Sequence, residues 1–170
     1  MPGILVIAYG NPLRCDDGLA WHVAERLAEL NLSSDVEVIT CHQLTPEMAL
    51  PVSRAATVLF IDAACVGTPG EITSERLEPQ ASSCAFTHTM SPGAILNMAQ
   101  ELYGSSGEGF TISLCGECFD HGDQLSPKVK ASLPRVVALV SQFPNLLTDR
   151  DPVESDQAHN HSIALLKHLK

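Results

Sequence analysis

The chain has 170 residues, of which 45% are hydrophobic and 18% are charged, and this length and composition fit one globular domain with a sizeable core. Its formal net charge of −10 repels phosphate backbones and anionic lipids, so we expect neither nucleic acid nor a membrane as a partner. The short apolar N-terminus has no basic leader, and no stretch approaches the roughly 18 apolar residues of a membrane span. Six cysteines beside an ordinary core indicate reduced thiols and a cytoplasmic protein.

The first third of the chain alternates strand and helix patterns. Residues 3–9 form a continuous apolar run, which predicts a strand buried on both faces. Apolar residues then recur at helical spacing over residues 19–30, and residues 36–40 predict a second strand. Pro46 is placed to open a short helix, and residues 56–61 predict a third, central strand. This order is typical of a parallel α/β sheet.

The alternation continues through the rest of the chain. Residues 71–77 predict an edge strand, and the Ser91-Pro92 pair predicts an N-cap and the first turn of a helix. Residues 110–114 predict another strand, which is followed by a long amphipathic helix over residues 126–142. We therefore predict an α/β fold, a three-layer sandwich in which a twisted, mainly parallel sheet is flanked by helices.

The domain organisation is simple. We expect a single α/β domain over residues 1–144. Residues 145–170 predict an acidic linker and a short C-terminal tail, because acidic positions there are interrupted by few apolar side chains. No helical pattern suggests an exposed apolar face, so we expect a monomer.

Two acids follow predicted strands at positions where ligands of α/β sheets bind. Asp17 lies in the loop after the first strand and Asp62 directly after the third, and both places belong to the carboxyl edge of a parallel sheet. The first loop has neither G-x-G-x-x-G spacing nor a Walker lysine, and its Asp16-Asp17 pair would repel a pyrophosphate, which disfavours a nucleotide. The alternative for Asp16 or Asp17 is a helix cap or a first-turn acid that complements the helix dipole, and for Asp62 it is an acid that binds loop amides.

His88 is the third candidate, and it precedes the Ser91-Pro92 helix start. Taken by itself it is equally consistent with a loop histidine hydrogen-bonded to the backbone. Together, Asp17, Asp62 and His88 would suit a borderline divalent ion such as Ni²⁺ or Zn²⁺ and would leave coordination positions for a substrate. Asp16 and Glu47 are further candidates for an accessory base.

The Cys115-x-x-Cys118 spacing raises redox and zinc roles. A zinc site would need two more ligands, for which Cys84 and His121 have no paired spacing, and a thioredoxin-type pair normally opens a helix after a first strand. We therefore favour structural thiols. The absence of a G-x-S-x-G elbow argues against a serine hydrolase of the common α/β type.

An ordered set of motifs in this chain resembles the nickel-iron hydrogenase maturation proteases, endopeptidases that remove a C-terminal extension from the hydrogenase large subunit after nickel insertion. The resemblance extends from about residue 3 to residue 143. The matching pieces are Gly10-Asn11-x-Leu13-x-x-Asp16-Asp17-Gly18, Ile61-Asp62-Ala63 with Gly67-x-Pro69-Gly70, His88 with Ser91-Pro92, and Gly122-x-x-Leu125-Ser126-Pro127.

The resemblance implies a metal-dependent endopeptidase whose metal-binding and catalytic residues are Asp17, Asp62 and His88. It implies nickel carried by the substrate, in a site that zinc or cadmium can also occupy, and the large-subunit precursor as partner. The loop after the second strand departs from the Asp-Gly-Gly-Thr-like loop of many members and resembles proteases of bidirectional, NAD-linked hydrogenases. Its residues are Cys41-His42-Gln43-Leu44-Thr45-Pro46-Glu47.

Two other functions remain open at this point. The same fold can serve as a non-catalytic metal-binding or chaperone module in hydrogenase assembly, and it can serve as a flavodoxin-like regulatory domain whose acids are only caps.

Overall fold

The computed structural model describes residues 3–80 and 90–148, and within these ranges it contains one five-stranded sheet flanked by helices. Two short 3-10 turns, Cys15–Gly18 and Pro46–Met48, precede the first and second helices. In chain order the elements are β1 (Ile4–Tyr9), α1 (Leu19–Ala28), β2 (Val36–Cys41), α2 (Ala49–Arg54), β3 (Thr57–Ala64), β4 (Ile72–Leu77), α3 (Pro92–Tyr103), β5 (Glu108–Cys115) and α4 (Pro127–Thr148).

The sheet has the strand order β2-β1-β3-β5-β4. All neighbouring strands are parallel except β4, which runs antiparallel to β5 at one edge. The predicted α/β class, with a mainly parallel sheet, is confirmed. Because β1, β2, β3 and β5 point the same way, the loops that follow them all leave from one edge of the sheet, called here the carboxyl edge.

Helices cover both faces of the sheet and form two apolar layers. Successive residues of a strand point to opposite faces, so Val6 and Ile61 pack with α1 and α4, whereas Ile7 and Phe60 pack with α2 and α3. This explains why β1 and β3 are apolar without alternation. The layer formed by α2, α3 and the strand residues that face them is called the α2/α3 layer below.

Several element boundaries differ from the sequence prediction, and those near the carboxyl edge and at the end of α4 matter most. β3 continues to Ala64 and β5 to Cys115 because their ends pair in register, Asp62 with Ser113 and Ala64 with Cys115. Asp62 therefore lies within a strand and not after it. α4 extends to Thr148 and passes Pro144, where the prediction ends it at residue 142; a proline removes one helical hydrogen bond without stopping the following turn.

None of the helices in residues 3–80 and 90–148 is both long and apolar enough to cross a membrane.

Candidate active site

Asp62 lies near the carboxyl edge and accepts hydrogen bonds from both neighbouring strands. The hydroxyl of Tyr9 on β1 donates to Oδ2 of Asp62 at 2.8 Å. The hydroxyl of Ser113 on β5 donates to the other oxygen, Oδ1. Each carboxylate oxygen therefore has one hydroxyl donor, and the two donors belong to the strands on opposite sides of β3.

The strand register explains this meeting. Ser113 on β5 is the direct partner of Asp62 in the strand pairing. On the other side, Ala8 pairs with Ile61, so the next residues along β1 and β3, Tyr9 and Asp62, are also neighbours. All three polar side chains lie on the face that carries the α2/α3 layer, and the ring of Tyr9 packs against that layer. Of these three residues, only Asp62 is a candidate from the sequence. A hydroxyl in the otherwise apolar ends of β1 and β5 is the sequence signal that points to Tyr9 and Ser113.

Tyr9 is held in its protonated form. Burial of the side chain is the largest cause that raises its pKa, followed by the charge of Asp62 and the hydrogen bond to it, with smaller contributions from Cys41 and Asp17. Tyr9 therefore stays a hydrogen-bond donor to Asp62 at neutral pH.

Asp17 is fixed by the loop that carries it. Its Oδ2 accepts a hydrogen bond from the amide of Asn11 at 3.0 Å. The loop turns sharply at Gly10, whose φ of +142° suits glycine, and a Cβ there would lie 2.1 Å from the backbone oxygen of Asp17. The N-cap of α1 is Gly18, which makes no side-chain cap, so Asp17 is not the cap that the sequence allowed.

Asp16 has a different environment from its neighbour. Its side chain is completely buried and accepts three backbone N–H groups, from Glu117 at 2.8 Å, Cys118 at 2.9 Å and Ser126 at 2.7 Å. Burial raises the pKa of Asp16, but these hydrogen bonds outweigh burial and the pKa is lowered. Asp16 thus joins the loop after β1 to the loop after β5, and it is poorly suited to act as an accessory base.

His42 and Glu47, both in the loop after β2, have different surroundings. The indole N–H of Trp21 donates to the carbonyl of Gly10 at 2.8 Å, and the ring of Trp21 lies 5.3 Å from that of exposed His42. His42 is therefore at the carboxyl edge. Glu47 is exposed, and the hydroxyl of Thr45 lowers its pKa, so it is also a weak base.

The two thiols of the C-x-x-C sequence have different surroundings. Cys115 is buried, and its thiol donates to the carbonyl of Gly116 at 3.6 Å. Cys118 is half-buried, and interaction with its thiol raises the pKa of Cys15. The backbone brings this second pair together, because the amide of Asp16 donates to the carbonyl of Cys118 at 3.0 Å. These different partners are consistent with structural thiols.

The third predicted site residue, His88, falls in residues 81–89, outside the described part of the chain. In residues 3–80 and 90–148, no three side chains of His, Cys, Asp or Glu are grouped so that they could hold a metal ion. Asp17 and Asp62 are therefore the two carboxylates of the predicted ligand set that the structure locates, both at the carboxyl edge.

Solved structures with the same fold come from several organisms. HycI, a [NiFe] hydrogenase maturation protease from Thermococcus kodakarensis KOD1, superposes with a TM-score of 0.68 at 23% identity and covers 84% of this chain and 92% of its own. The hydrogenase maturating endopeptidase HybD from E. coli gives 0.65 at 21% identity, covering 85% and 94%. A hydrogenase 2 maturation peptidase from a Thaumarchaeota archaeon gives 0.64 at 23%, covering 84% and 98%.

At these identities the likeness is one of fold. Neither a family model nor a curated protein matches the sequence.

Proposed function

We propose that this protein is an endopeptidase that removes the C-terminal extension of a nickel-iron hydrogenase large-subunit precursor after nickel insertion. The proposal is supported by the position of Asp17 in the loop after β1 and of Asp62 near the end of β3, both at the carboxyl edge, on a fold shared with several solved hydrogenase maturation proteases. Open α/β sheets bind their ligands at this edge.

In this proposal Asp17, Asp62 and His88 engage the nickel that the precursor already holds. The carboxylates suit that role. Each oxygen of Asp62 accepts one hydroxyl donor, which leaves one acceptor position on each. Asp17 uses Oδ2 for the amide of Asn11, and its Oδ1 has no hydrogen-bond partner among the described residues. Carboxylate and imidazole ligands are compatible with nickel, and also with zinc or cadmium.

Substrate-borne nickel would serve as the recognition element, because a precursor without nickel would offer the two carboxylates no ion to bind. A divalent ion can also polarise a scissile carbonyl or lower the pKa of a bound water. Such a mechanism requires no serine or cysteine of this chain as the nucleophile. We further propose that the protein acts as a monomer in the cytoplasm, on the precursor of a bidirectional, NAD-linked hydrogenase, with His42 in the variant loop near the substrate.

Mass spectrometry of a large-subunit precursor, nickel-loaded or nickel-free, after incubation with the protein tests this proposal. We expect loss of a C-terminal peptide from the loaded form only. Asp62→Asn should lower the cleavage rate by more than about a hundredfold, since a metal contact contributes several kcal/mol. The matched control is Asp35→Asn, which removes an exposed carboxylate at the start of β2, at the opposite edge of the sheet.

A precursor that binds the protein but stays intact would instead support the non-catalytic metal-binding or chaperone module. Equal cleavage of loaded and nickel-free precursors would contradict nickel recognition while leaving the endopeptidase in place.

A further inference from the structure

The hydroxyls around Asp62 restrain its carboxylate from two directions. The terminal torsion of an aspartate is broad and roughly two-fold, so a carboxylate with no fixed partner samples many rotations. Here the Tyr9 hydroxyl binds Oδ2 from β1, and the Ser113 hydroxyl binds Oδ1 from β5. Both strands are joined to β3 by backbone ladders, so the backbones that carry the two donors are fixed relative to the backbone of the acid.

We propose that Tyr9 and Ser113 are positioning residues that fix the rotation of the Asp62 carboxylate so that one acceptor position of each oxygen stays available at the carboxyl edge. This inference rests on the proposed function, in which Asp62 contacts the nickel of the precursor. Groups that orient metal-binding carboxylates typically change affinity or activity 10- to 100-fold when they are removed.

The two donors are well suited to this task because both are uncharged. A lysine or arginine beside Asp62 would neutralise the carboxylate that the metal needs, whereas a hydroxyl orients it and leaves its charge intact. The phenol of Tyr9 is also supported from behind, because its ring packs against the α2/α3 layer. Tyr9 therefore brings a rigid donor, with few rotatable bonds, to a defined point.

The simpler interpretation is that the hydroxyls only satisfy a half-buried acid. On that view Tyr9→Phe and Ser113→Ala would lower stability without changing how Asp62 is oriented. The positioning role predicts, in addition to any loss of stability, a rotated carboxylate and weaker metal binding. A readout of orientation therefore separates the two.

The experiment compares Tyr9→Phe, Ser113→Ala and the double variant with the wild-type protein. Tyr103→Phe removes the hydroxyl of an exposed tyrosine on α3, and Ser141→Ala removes a serine hydroxyl that bonds within α4. Ser113→Thr keeps a hydroxyl and serves as the rescue variant. The readouts are crystal structures, Ni²⁺ binding to the protein by titration calorimetry, thermal unfolding, and kcat/KM for cleavage of the nickel-loaded precursor.

We expect Asp62 to rotate or to take two orientations in the double variant. Ni²⁺ affinity and kcat/KM should fall about 10- to 100-fold in Tyr9→Phe, with both controls and Ser113→Thr near wild type. An unrotated Asp62 in the double variant, or wild-type cleavage by Tyr9→Phe, would overturn the positioning role. If the double variant does not fold, Tyr9→Phe decides by the same readouts. A wild-type protein that cleaves no precursor would overturn the proposed function, and Asp62 orientation would still decide the positioning role.

Discussion

Asp16 and Asp17 are adjacent in sequence and have different environments. The side chain of Asp16 is completely buried and bound by three backbone amides, whereas Asp17 is half-buried at the carboxyl edge and accepts one amide. One residue of displacement along a 3-10 turn therefore separates an acid that holds two loops together from a half-buried acid that accepts a single amide.

Asp16→Asn should reduce the free energy of unfolding by about 2 to 3 kcal/mol, because the charge that three N–H groups share is lost. Urea denaturation measures this difference. Asp123→Asn, at an exposed position, should change stability by less than about 0.5 kcal/mol. An equally small loss of stability in Asp16→Asn would contradict the conclusion that Asp16 holds the loops after β1 and β5 together.

The difference in the free energy of unfolding between the wild-type protein and Asp16→Asn should depend on pH. The folded-state pKa of Asp16 is lowered, so its stabilisation is complete above the unfolded value of about 3.9 and is lost as the pH falls through the folded value. Denaturation at a series of pH values should show the two proteins converging in acid. A constant difference down to the lowest pH would argue against this assignment.

The Cys15 thiol should be slow to alkylate at neutral pH. The interaction with Cys118, in which Cys15 keeps its proton, raises the pKa of Cys15 to about 11, with smaller effects of burial and nearby charges, and only the thiolate reacts. Mass spectrometry of iodoacetamide-treated protein, over a pH series that passes through about 11, measures its reactivity. Cys118→Ala should move the Cys15 profile to lower pH, and an unmoved profile would exclude the thiol contact as its cause. Exposed Cys65 is the internal reference.

At the scale of elements, the burial of each strand determines its pattern of apolar and polar residues. β1 is covered on both faces and is apolar throughout, whereas β4 is an antiparallel edge strand with alternating burial. In β4, Ile72 and Ser74 are buried and Thr73 and Glu75 are exposed. Alternation of this kind is typical of a strand with one solvated face, which is why the edge position could be predicted.

The start of α3 shows a local signal that is independent of tertiary packing. The hydroxyl of Ser91 accepts the amide of Ala94 at 3.2 Å, and Pro92 occupies the first turn, as the sequence predicts. Ser91→Ala should cost about 1 kcal/mol in urea denaturation, while Ser91→Asn, which keeps a capping oxygen, should cost much less. Equal losses in both variants would show that the cap contributes nothing.

At the scale of the whole molecule, the two apolar layers pack on opposite faces of the same sheet. Because they share its strands, the layers should unfold together. Ile95→Ala removes a completely buried side chain from the α2/α3 layer and should cost about 2 to 5 kcal/mol. Trp21, the single tryptophan, lies on α1, the helix that packs on the other face, so its fluorescence follows the unfolding of α1. Tryptophan fluorescence and far-UV circular dichroism should give one shifted midpoint. Two separate midpoints would show that the layers unfold independently.

The sequence by itself determined the order of strands and helices, the mainly parallel sheet, and the placement of Asp17 and Asp62 at its carboxyl edge. These features follow from periodicity and caps, which are encoded among residues close in sequence. The pairing of β3 with β5 lengthened both strands, and no local pattern contains that information.

Only the tertiary structure decided which groups surround those acids. Tyr9 and Ser113 are 53 and 51 residues from Asp62, and strand register alone brings their hydroxyls to its carboxylate. Asp16 likewise finds its amides more than 100 residues away. A side chain's partners depend on contacts between distant segments, and a single sequence states the chemistry of each residue but not its neighbours in space.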